Sequence, residues 1–203
     1  MMKKAVLLFC LISGFASADV ITFDSNPDNL YWTSPVISDD FAFSDIAGNG
    51  SLGTASNLDG ESVDNGTVHL MDWTNGGNVS FMRMNATDHS LFTLTAFDFT
   101  SGYLDGTNMA EVLFVRGFDT NGTMTGMQSF NASTFTFNAF TTLTLGDSFE
   151  DVSFVTFQAL GTNNRLGYDN FVVNQAVSVS EPATLAILLA GVAGVSLRRR
   201  KIA

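Results

Sequence analysis

The central part of the chain consists of short segments in which apolar and polar residues alternate, separated by turns. Alternation with a period of two places every second side chain on one face of an extended strand, as in a half-buried β-strand. No segment of residues 19–180 keeps the helical period of about 3.6 residues over several turns. The pattern predicts strands at residues 20–23, 40–43, 63–70, 79–84, 91–99, 112–118, 123–130, 135–137, 140–145, 152–160 and 166–173.

The turns between these segments indicate antiparallel pairing. Asp119-Thr120-Asn121-Gly122 separates two alternating segments, and Asn and Gly tolerate positive φ, so residues 112–130 are expected to form a hairpin. In the segment before it, the alternation predicts one side formed by Leu91, Thr93, Thr95, Phe97 and Phe99. Many short strands without an internal repeat predict an all-β domain, an antiparallel two-sheet β-sandwich, at residues 19–173.

The net charge of the chain limits the classes of molecule that it is expected to bind. The 203 residues include 20 Asp plus Glu and 9 Lys plus Arg, which gives a net charge of -11. Residues 19–180 hold 19 of the acidic residues but only three basic ones, Arg83, Arg116 and Arg165. This balance argues against nucleic acid as a partner and against adhesion to anionic lipid, because both need a basic surface. It favours divalent cations and disfavours anionic partners.

The N-terminus has the three parts of a secretory signal peptide. Lys3 and Lys4 precede a short apolar run, and Ala16-Ser17-Ala18 supplies small residues for cleavage before Asp19. We therefore predict a signal peptide at residues 1–18. The single cysteine, Cys10, lies within it, so the exported part would contain no disulfide.

The C-terminus has three further parts in order. Residues 174–179 form a polar linker, and Ser180-Glu181-Pro182-Ala183-Thr184 follows. Residues 183–197 are uncharged and apolar, and a transmembrane helix of 15 residues would be about 22 Å long, short of the roughly 30 Å of a hydrocarbon core. The basic residues 198–201 would hold the end of the chain in the cytoplasm.

This terminus resembles the PEP-CTERM sorting signal, which joins a Pro-Glu-Pro motif, a short transmembrane helix and an Arg cluster. The resemblance covers residues 179–201, with one departure, since Ser180 replaces the first proline. It implies that residues 180–203 are recognised by an exosortase, a membrane-embedded protease, and it makes the chain a substrate of processing. The matching residues are Ser180, Glu181, Pro182, Thr184, Arg198, Arg199 and Arg200.

The body resembles the jelly-roll-like sandwiches, related in shape to carbohydrate-binding modules, that many proteins with this tail carry. The similar pieces are Ile21-Thr22-Phe23-Asp24, Gly117-Phe118-Asp119-Thr120-Asn121-Gly122 and Gly167-Tyr168-Asp169-Asn170-Phe171. In those sandwiches the aspartate of the last strand helps to bind a structural calcium near the first strand. The resemblance thus implies a calcium site at Asp169, with Asp24 as its partner if the first and last strands pair. Residues 57–64 form a second oxygen-rich loop. Turn formation explains such Asp and Asn residues as well.

Catalytic residues are not expected. The body has two histidines, and Asp88-His89-Ser90 lies too close in sequence to place three triad roles on separate elements. No spacing of ligands typical of zinc is present, and none of the three glutamates stands in a paired motif. Trp32 and Trp73 lie in polar, loop-like contexts, where flat rings could stack on sugars or plug one end of the sandwich.

These features predict a non-enzymatic exported protein. It would be anchored transiently in the inner membrane, processed by an exosortase and released to the cell surface or to the exopolysaccharide of a biofilm matrix. The export machinery and extracellular polysaccharide are the other expected partners. The alternatives are a carbohydrate-binding module and a polysaccharide-active enzyme.

Overall fold

The computed structural model describes residues 18–28, 30–46, 50–56, 65–74, 79–101, 110–135, 139–161 and 165–175. They form a β-sandwich of two antiparallel sheets, as predicted, within a compact unit that spans Ser17–Ala176. The strands are numbered β1 to β13 along the chain.

The first sheet contains β1 (Asp19–Ile21), β2 (Leu30–Thr33), β5 (Gly50–Ala55), β6 (His69–Thr74), β8 (Phe92–Ser101), β11 (Thr141–Thr144) and β13 (Arg165–Gln175). The second contains β3 (Val36–Ser38), β4 (Phe41–Asp45), β7 (Val79–Ala86), β9 (Ala110–Phe118), β10 (Met124–Asn131) and β12 (Phe154–Gly161). Two short 3-10 helices, Ala132–Thr134 and Asp147–Phe149, precede and follow β11.

Strand order places the first and last strands side by side. The first sheet runs β11-β8-β13-β6-β5-β2, and β1 pairs with the second half of β13, with Ile21 opposite Phe171. The second sheet runs β10-β9-β12-β7-β4-β3. β9 and β10 form the predicted hairpin, in whose turn Gly122 has a φ of 75°. That φ lies in the left-handed region, which favours glycine.

Phenylalanine builds the core between the sheets. The ring of Phe97 in the first sheet meets the edge of the Phe157 ring in the second, with centroids 5.1 Å apart. Phe171 stacks against Phe97 with centroids 5.7 Å apart, and all three side chains are fully buried. Each buried phenylalanine contributes roughly 1.5–3 kcal/mol through the apolar area that it removes from water. Burial of this kind stabilises a body that contains no cysteine.

The structure corrects several sequence predictions. Strands β2, β3 and β5 were not predicted, and β13 continues to Gln175, so the first two residues of the predicted linker belong to the sheet. In β8 the predicted side is wrong: Phe92 and Leu94 are buried with Phe97 and Phe99, because the alternation shifts by one residue between them.

Three predicted segments lie outside the described residues, wholly or in large part. They are the signal peptide, the loop at residues 57–64 and the region from residue 176 onward, which includes the sorting motif. Within the described ranges no helix is long and apolar enough to cross a membrane, and the predicted span at residues 183–197 falls beyond them.

Candidate functional site

The outer face of the second sheet is the most distinctive described surface of the sandwich. In β9 and β12 every second residue is buried in the core, including Leu113 and Val115 on β9 and Val155 and Phe157 on β12. The intervening residues therefore point away from the core. We name the outward residues of β9 and β12, together with their neighbours on β7, the aromatic face. Its members are Phe81, Arg83, Phe114, Arg116, Phe118, Phe154, Thr156 and Gln158.

Strand register arranges the aromatic face in rows. Phe154 lies opposite Phe118, and the next row places Thr156 between Arg83 on β7 and Arg116 on β9. In the row beyond, Gln158 lies between Phe81 and Phe114. All of these side chains are half-buried except Thr156, which is 3% exposed.

The arginines and aromatic rings contact one another. The rings of Phe118 and Phe154 stack with centroids 4.6 Å apart and planes 9° from parallel. The guanidinium carbon of Arg83 lies 4.1 Å from the centroid of the Phe154 ring, and that of Arg116 lies 5.2 Å from the Phe114 centroid. A cation over a ring face is attracted by the ring's quadrupole. Nη1 of Arg116 also donates a hydrogen bond of 2.8 Å to Oε1 of Gln158.

Two polar atoms of the middle row have no hydrogen-bond partner among the described residues. They are Oγ1 of Thr156 and Nε of Arg83, and both are buried. A buried polar atom without a partner costs free energy, so such atoms are uncommon in folded proteins. Both atoms lie in one row of the aromatic face, and the described residues include further atoms of this kind elsewhere, in Asn26, Thr100 and Tyr168.

Apolar side chains border the aromatic face. Met124 lies opposite Phe118, and Met127 lies opposite Arg116, on the edge strand β10. Ile37, on the opposite edge strand β3, lies beyond Ala42 of β4. These three side chains are 52%, 54% and 56% exposed. The second sheet therefore presents apolar surface from one edge to the other, with the two arginines in its middle.

The predicted calcium residue Asp169 lies in β13 of the first sheet and is 2% exposed. Its Oδ2 accepts hydrogen bonds from Nδ2 of Asn65 at 2.9 Å and Oγ1 of Thr67 at 3.1 Å. Its Oδ1 accepts from the backbone N–H of Asn170 at 2.9 Å. Burial raises the pKa of the Asp169 carboxyl above its ordinary value despite these hydrogen bonds, and the negative charge of Asp24 raises it further.

Asp24, the predicted second ligand, is exposed in the turn that follows β1. Its effect on the pKa of Asp169 places the two carboxyls close enough to interact. Among the described residues no group of three or more His, Cys, Asp or Glu side chains is arranged to hold a metal ion. Of the three groups that donate to the Asp169 carboxylate, the Thr67 hydroxyl supplies an oxygen atom, whereas Asn65 and the backbone of Asn170 supply nitrogen atoms. The calcium site stays a prediction.

The predicted sugar-binding tryptophans do not lie in loops. Trp32 belongs to β2 and Trp73 to β6, two strands of the first sheet that flank β5. Their side chains lie outside the part of the protein that the structure describes. A role for them in sugar binding stays a prediction.

The surroundings of the two histidines of the body indicate structural roles. His69 is buried beneath Phe140, with ring centroids 5.0 Å apart, and His89 lies in a turn with a φ of 63°. In that turn Oδ1 of Asp88 accepts a hydrogen bond of 2.9 Å from the backbone N–H of Ser90. The run Asp88-His89-Ser90 is therefore a turn, as its composition indicates.

A buried polar pair inside the sandwich was not predicted. Asp72 on β6 accepts a hydrogen bond from the hydroxyl of Ser80 on β7, which links the two sheets. Burial, together with the charge of Asp72, raises the pKa of the fully buried Tyr168 well above its ordinary value. The sequence pattern of β6 alone does not reveal that Asp72 faces the core.

Sequence reasoning also missed the aromatic face, although part of its signal was present. The alternation of residues 152–160 correctly separated Phe154, Thr156 and Gln158 from the buried Val155, Phe157 and Ala159. It gave no reason to bring these residues together with Arg83 and Arg116, because strand order in a sandwich depends on contacts distant in sequence.

Of the predicted cleavage residues, Asp19 is the first residue of β1 and Ala18 directly precedes it. Ala16 lies outside the described residues, as do Ser180, Glu181, Pro182, Thr184, Arg198, Arg199 and Arg200.

Among solved structures, the chain is similar to a family 29 carbohydrate-binding module at 11% identity and a TM-score of 0.47, covering 82% of this chain and 99% of that one. It is also similar to a DUF4465 family protein from Bacteroides caccae, at 11% identity, 85% and 100% coverage and a TM-score of 0.47. A xylan-binding domain from Paenibacillus barcinonensis gives 12% identity, 80% and 97% coverage and a TM-score of 0.46. Similarities of this size carry no conclusion about what the chain binds.

No curated protein shows significant sequence similarity to the chain. The family comparison agrees with the resemblance found at the C-terminus. Its matching model covers the predicted motif, span and basic residues, although Ser180 departs from the usual proline. Residues 178–201 carry a PEP-CTERM protein-sorting motif.

Proposed function

We propose that the chain is a non-enzymatic exported protein that is sorted and cut by an exosortase, and whose sandwich is delivered to the cell surface or the surrounding polysaccharide matrix. The sorting motif at residues 178–201 carries this proposal. The order of its parts supports a transient stop in the inner membrane, with the sandwich outside and the basic residues 198–201 inside.

Fractionation with and without the cognate exosortase tests the sorting step. With the exosortase, mass spectrometry of the exported protein should show a mature form that begins at Asp19 and lacks Arg198 to Lys201. Without it, the full C-terminus should remain with the inner membrane. Replacement of Glu181 and Pro182 by alanine should reproduce the second result, whereas Thr144→Ala, on an exposed strand of the sandwich, should not. A mature form that keeps Arg198 to Lys201 would exclude the proposal.

The aromatic face favours a second function, the binding of a polysaccharide. Sugar rings present flat apolar faces, and the half-buried ring of Phe118 offers apolar surface against which such a face can pack. Phe154 stacks on Phe118 and lies under the guanidinium of Arg83, so it supports both groups. Arg83 and Arg116 lie in the next row and Gln158 in the row beyond, and they supply hydrogen-bonding groups for hydroxyls. A sheet face of this length accommodates an extended chain of sugars across several strands.

Binding to a panel of polysaccharides tests this function. Phe118→Leu and Phe154→Leu keep an apolar side chain of similar size but remove the flat ring, so both should weaken binding while the variants remain folded. Trp32→Ala and Trp73→Ala test the site that the sequence predicts on the first sheet. If the wild type binds no polysaccharide, this function is excluded; if only the tryptophan variants lose binding, the site is on the first sheet. An enzyme would convert the bound polysaccharide, and we expect no turnover.

A further inference from the structure

Charge is distributed unevenly over the sandwich. Residues 19–180 contain 19 acidic residues and three arginines, and two of these arginines, Arg83 and Arg116, lie in one row of the aromatic face. The described outward residues of β7, β9, β10 and β12 nearest to them are uncharged and include Asn85, Met127 and Ser129, whereas the exposed Glu111 lies at the far end of β9. The middle of this surface is thus poor in carboxylates, although the domain is strongly acidic.

The two arginines are not neutralised by the protein. Within the described part of the chain neither guanidinium is paired with a carboxylate, and Arg116 instead donates to the neutral side chain of Gln158. Nε of Arg83 has no hydrogen-bond partner there. No carboxylate of the described residues therefore occupies the N–H donors of these two guanidinium groups.

The two arginines are spaced for separate carboxylates along one polymer. Neighbouring strands lie about 4.8 Å apart, so the backbones of Arg83 and Arg116 are separated by roughly 10 Å, with Thr156 between them. Their guanidinium groups lie toward different rows, that of Arg83 over the Phe154 ring and that of Arg116 near the Phe114 ring and against Gln158. The planar fork of each arginine can match one carboxylate bidentately.

We propose that Arg83 and Arg116 bind the carboxylates of an acidic, uronate-type polysaccharide, while Phe118 packs against its sugar rings. The inference rests on the proposed polysaccharide-binding function and specifies its substrate class. It reverses, for this one surface, the expectation from net charge that anionic partners are disfavoured. The net negative charge of the domain still opposes the approach of a polyanion, so the attraction acts at contact range, where the arginines meet the carboxylates.

A matched pair of polysaccharides tests this proposal without any variant. Polygalacturonate and its fully methyl-esterified form share one backbone and differ in charge. Titration calorimetry on the full chain in mild detergent compares the affinities for these two polymers and for polymannuronate, hyaluronate and a neutral mannan. A chelator is present to exclude bridging by calcium. We expect at least one of the three polyuronates to bind at least tenfold more tightly than the neutral polymers. Equal binding of the esterified and free forms, or no binding of any polyuronate, overturns the proposal.

Variants then locate the site. Arg83→Gln and Arg116→Gln should each weaken binding of the preferred polyuronate about tenfold, and Arg116→Lys should recover only part of the loss because lysine lacks the bidentate fork. Thr144→Glu, on β11 of the other sheet, makes the net charge more negative by the same single unit and should leave binding unchanged. If Thr144→Glu weakens binding as much as the arginine variants do, net charge explains the effect and the proposed site is wrong.

The outcomes separate this inference from the function on which it rests. If neutral polysaccharides bind as well as polyuronates, and Phe154→Leu abolishes binding while the arginine variants do not, polysaccharide binding stands and the preference for carboxylates falls. If no polysaccharide binds, both fall. A dimer that dissociates on Phe154→Leu, with no binding of any polysaccharide, would assign the aromatic face to a second copy of the chain and likewise overturn the proposal.

Discussion

The hydroxyl of Thr156 is buried on the aromatic face and has no hydrogen-bond partner among the described residues. Leaving such a group unpaired costs about 1–3 kcal/mol of folding free energy. The hydroxyl of Thr156 is therefore expected to lower the stability of the fold.

We expect Thr156→Val to raise the free energy of unfolding by about 1 kcal/mol, because valine fills the same space without an unpaired hydroxyl. Chemical denaturation of the wild type and the variant measures the difference. Thr54→Val is the matched control, since Thr54 is also buried but its Oγ1 donates a hydrogen bond of 2.7 Å to the carbonyl of Pro27. That control should be destabilised. A similar loss of stability in both variants would show that the Thr156 hydroxyl is paired.

A second prediction at this scale concerns Asp88, in the turn between β7 and β8. The hydrogen bonds from Ser90 lower the pKa of the exposed Asp88 carboxyl below its ordinary value. Its ionised form is thus favoured in the folded state, and the stability it contributes is present at neutral pH and lost as the pH falls through the lowered pKa.

Asp88→Asn keeps the acceptor oxygen but removes the charge, so the variant should melt at a slightly lower temperature than the wild type at about pH 7. The difference should close on acidification to about pH 2, where the wild-type carboxyl is protonated. Thermal melts across this range measure it. A difference that stays constant or widens on acidification would contradict the assignment.

At the scale of elements, β-bulges explain why β8 was correctly predicted as a strand while some of its side chains were assigned to the wrong face. Asp169 lies opposite Asp98, but Val172 lies opposite Ala96, so β13 contains one more residue than β8 over this interval, and Asn170 there has a φ of 47°. The next interval has the extra residue on β8 instead, which moves Phe97 to the core side. Neither bulge contains glycine or proline, so local composition gives little sign of it.

The missed strands have a related explanation. β2, β3 and β5 have three to six residues each, and β5 contains two glycines and a serine. Pairing determines them as strands, β3 with β4, β5 with β6 and β2 with β5, because intrinsic strand propensity is weak in such segments. The long strands β8, β9 and β12 were predicted from the alternation of apolar and polar residues alone, because most of their side chains point in turn to the core and away from it.

Gly167, in the middle of β13, is expected to tolerate no side chain. A Cβ there would lie 2.6 Å from Cγ2 of Thr100 and 3.0 Å from Cζ of Phe140, closer than carbon atoms approach in folded proteins. Gly167→Ala should therefore lower the free energy of unfolding by about 1–3 kcal/mol through overpacking. Denaturant titration measures the loss.

Gly146→Ala is the control for this prediction, because a Cβ at Gly146 would meet nothing within 4 Å and its φ is -90°. Alanine at that position should change stability little. If the two alanine variants were equally stable, the layer formed by Thr100 and Phe140 would not pack against β13 as described.

At the scale of the whole molecule, the sequence indicates which segments differ from the body in composition, but it does not indicate which strands are neighbours in the sheets. Hydropathy and charge separated the ends from the body, since signal and sorting segments are read by their local composition. The choice of Asp24 as the partner of Asp169 was conditional on pairing of the first and last strands, and β1 does pair with β13. The aromatic face needed β7, β9 and β12 to be neighbours, and no local pattern specifies that order.

Calcium is the last prediction at this scale, because its site would join the two ends of the sandwich. Asp24 follows β1 and Asp169 lies in β13, and the pKa of Asp169 is raised by burial and, to a smaller extent, by the negative charge of Asp24. We propose that a calcium ion bound there would neutralise both carboxylates and hold β1 on β13. A ligand that binds only the folded state stabilises it by about 2.7 kcal/mol at a concentration of 100 times its Kd. The melting temperature should therefore fall when a chelator is added and recover with excess calcium.

Asp24→Asn should remove most of this dependence on chelator, since the exposed Asp24 contributes to binding more than to packing. Asp40→Asn, at an exposed aspartate in the turn between β3 and β4, removes the same charge elsewhere and should leave the dependence intact. Magnesium should not replace calcium, because it demands a tighter octahedral shell than amide, hydroxyl and carboxylate oxygens on separate elements provide. Identical melting curves with and without chelator would show that hydrogen bonds from Asn65, Thr67 and Asn170 stabilise Asp169 without a metal.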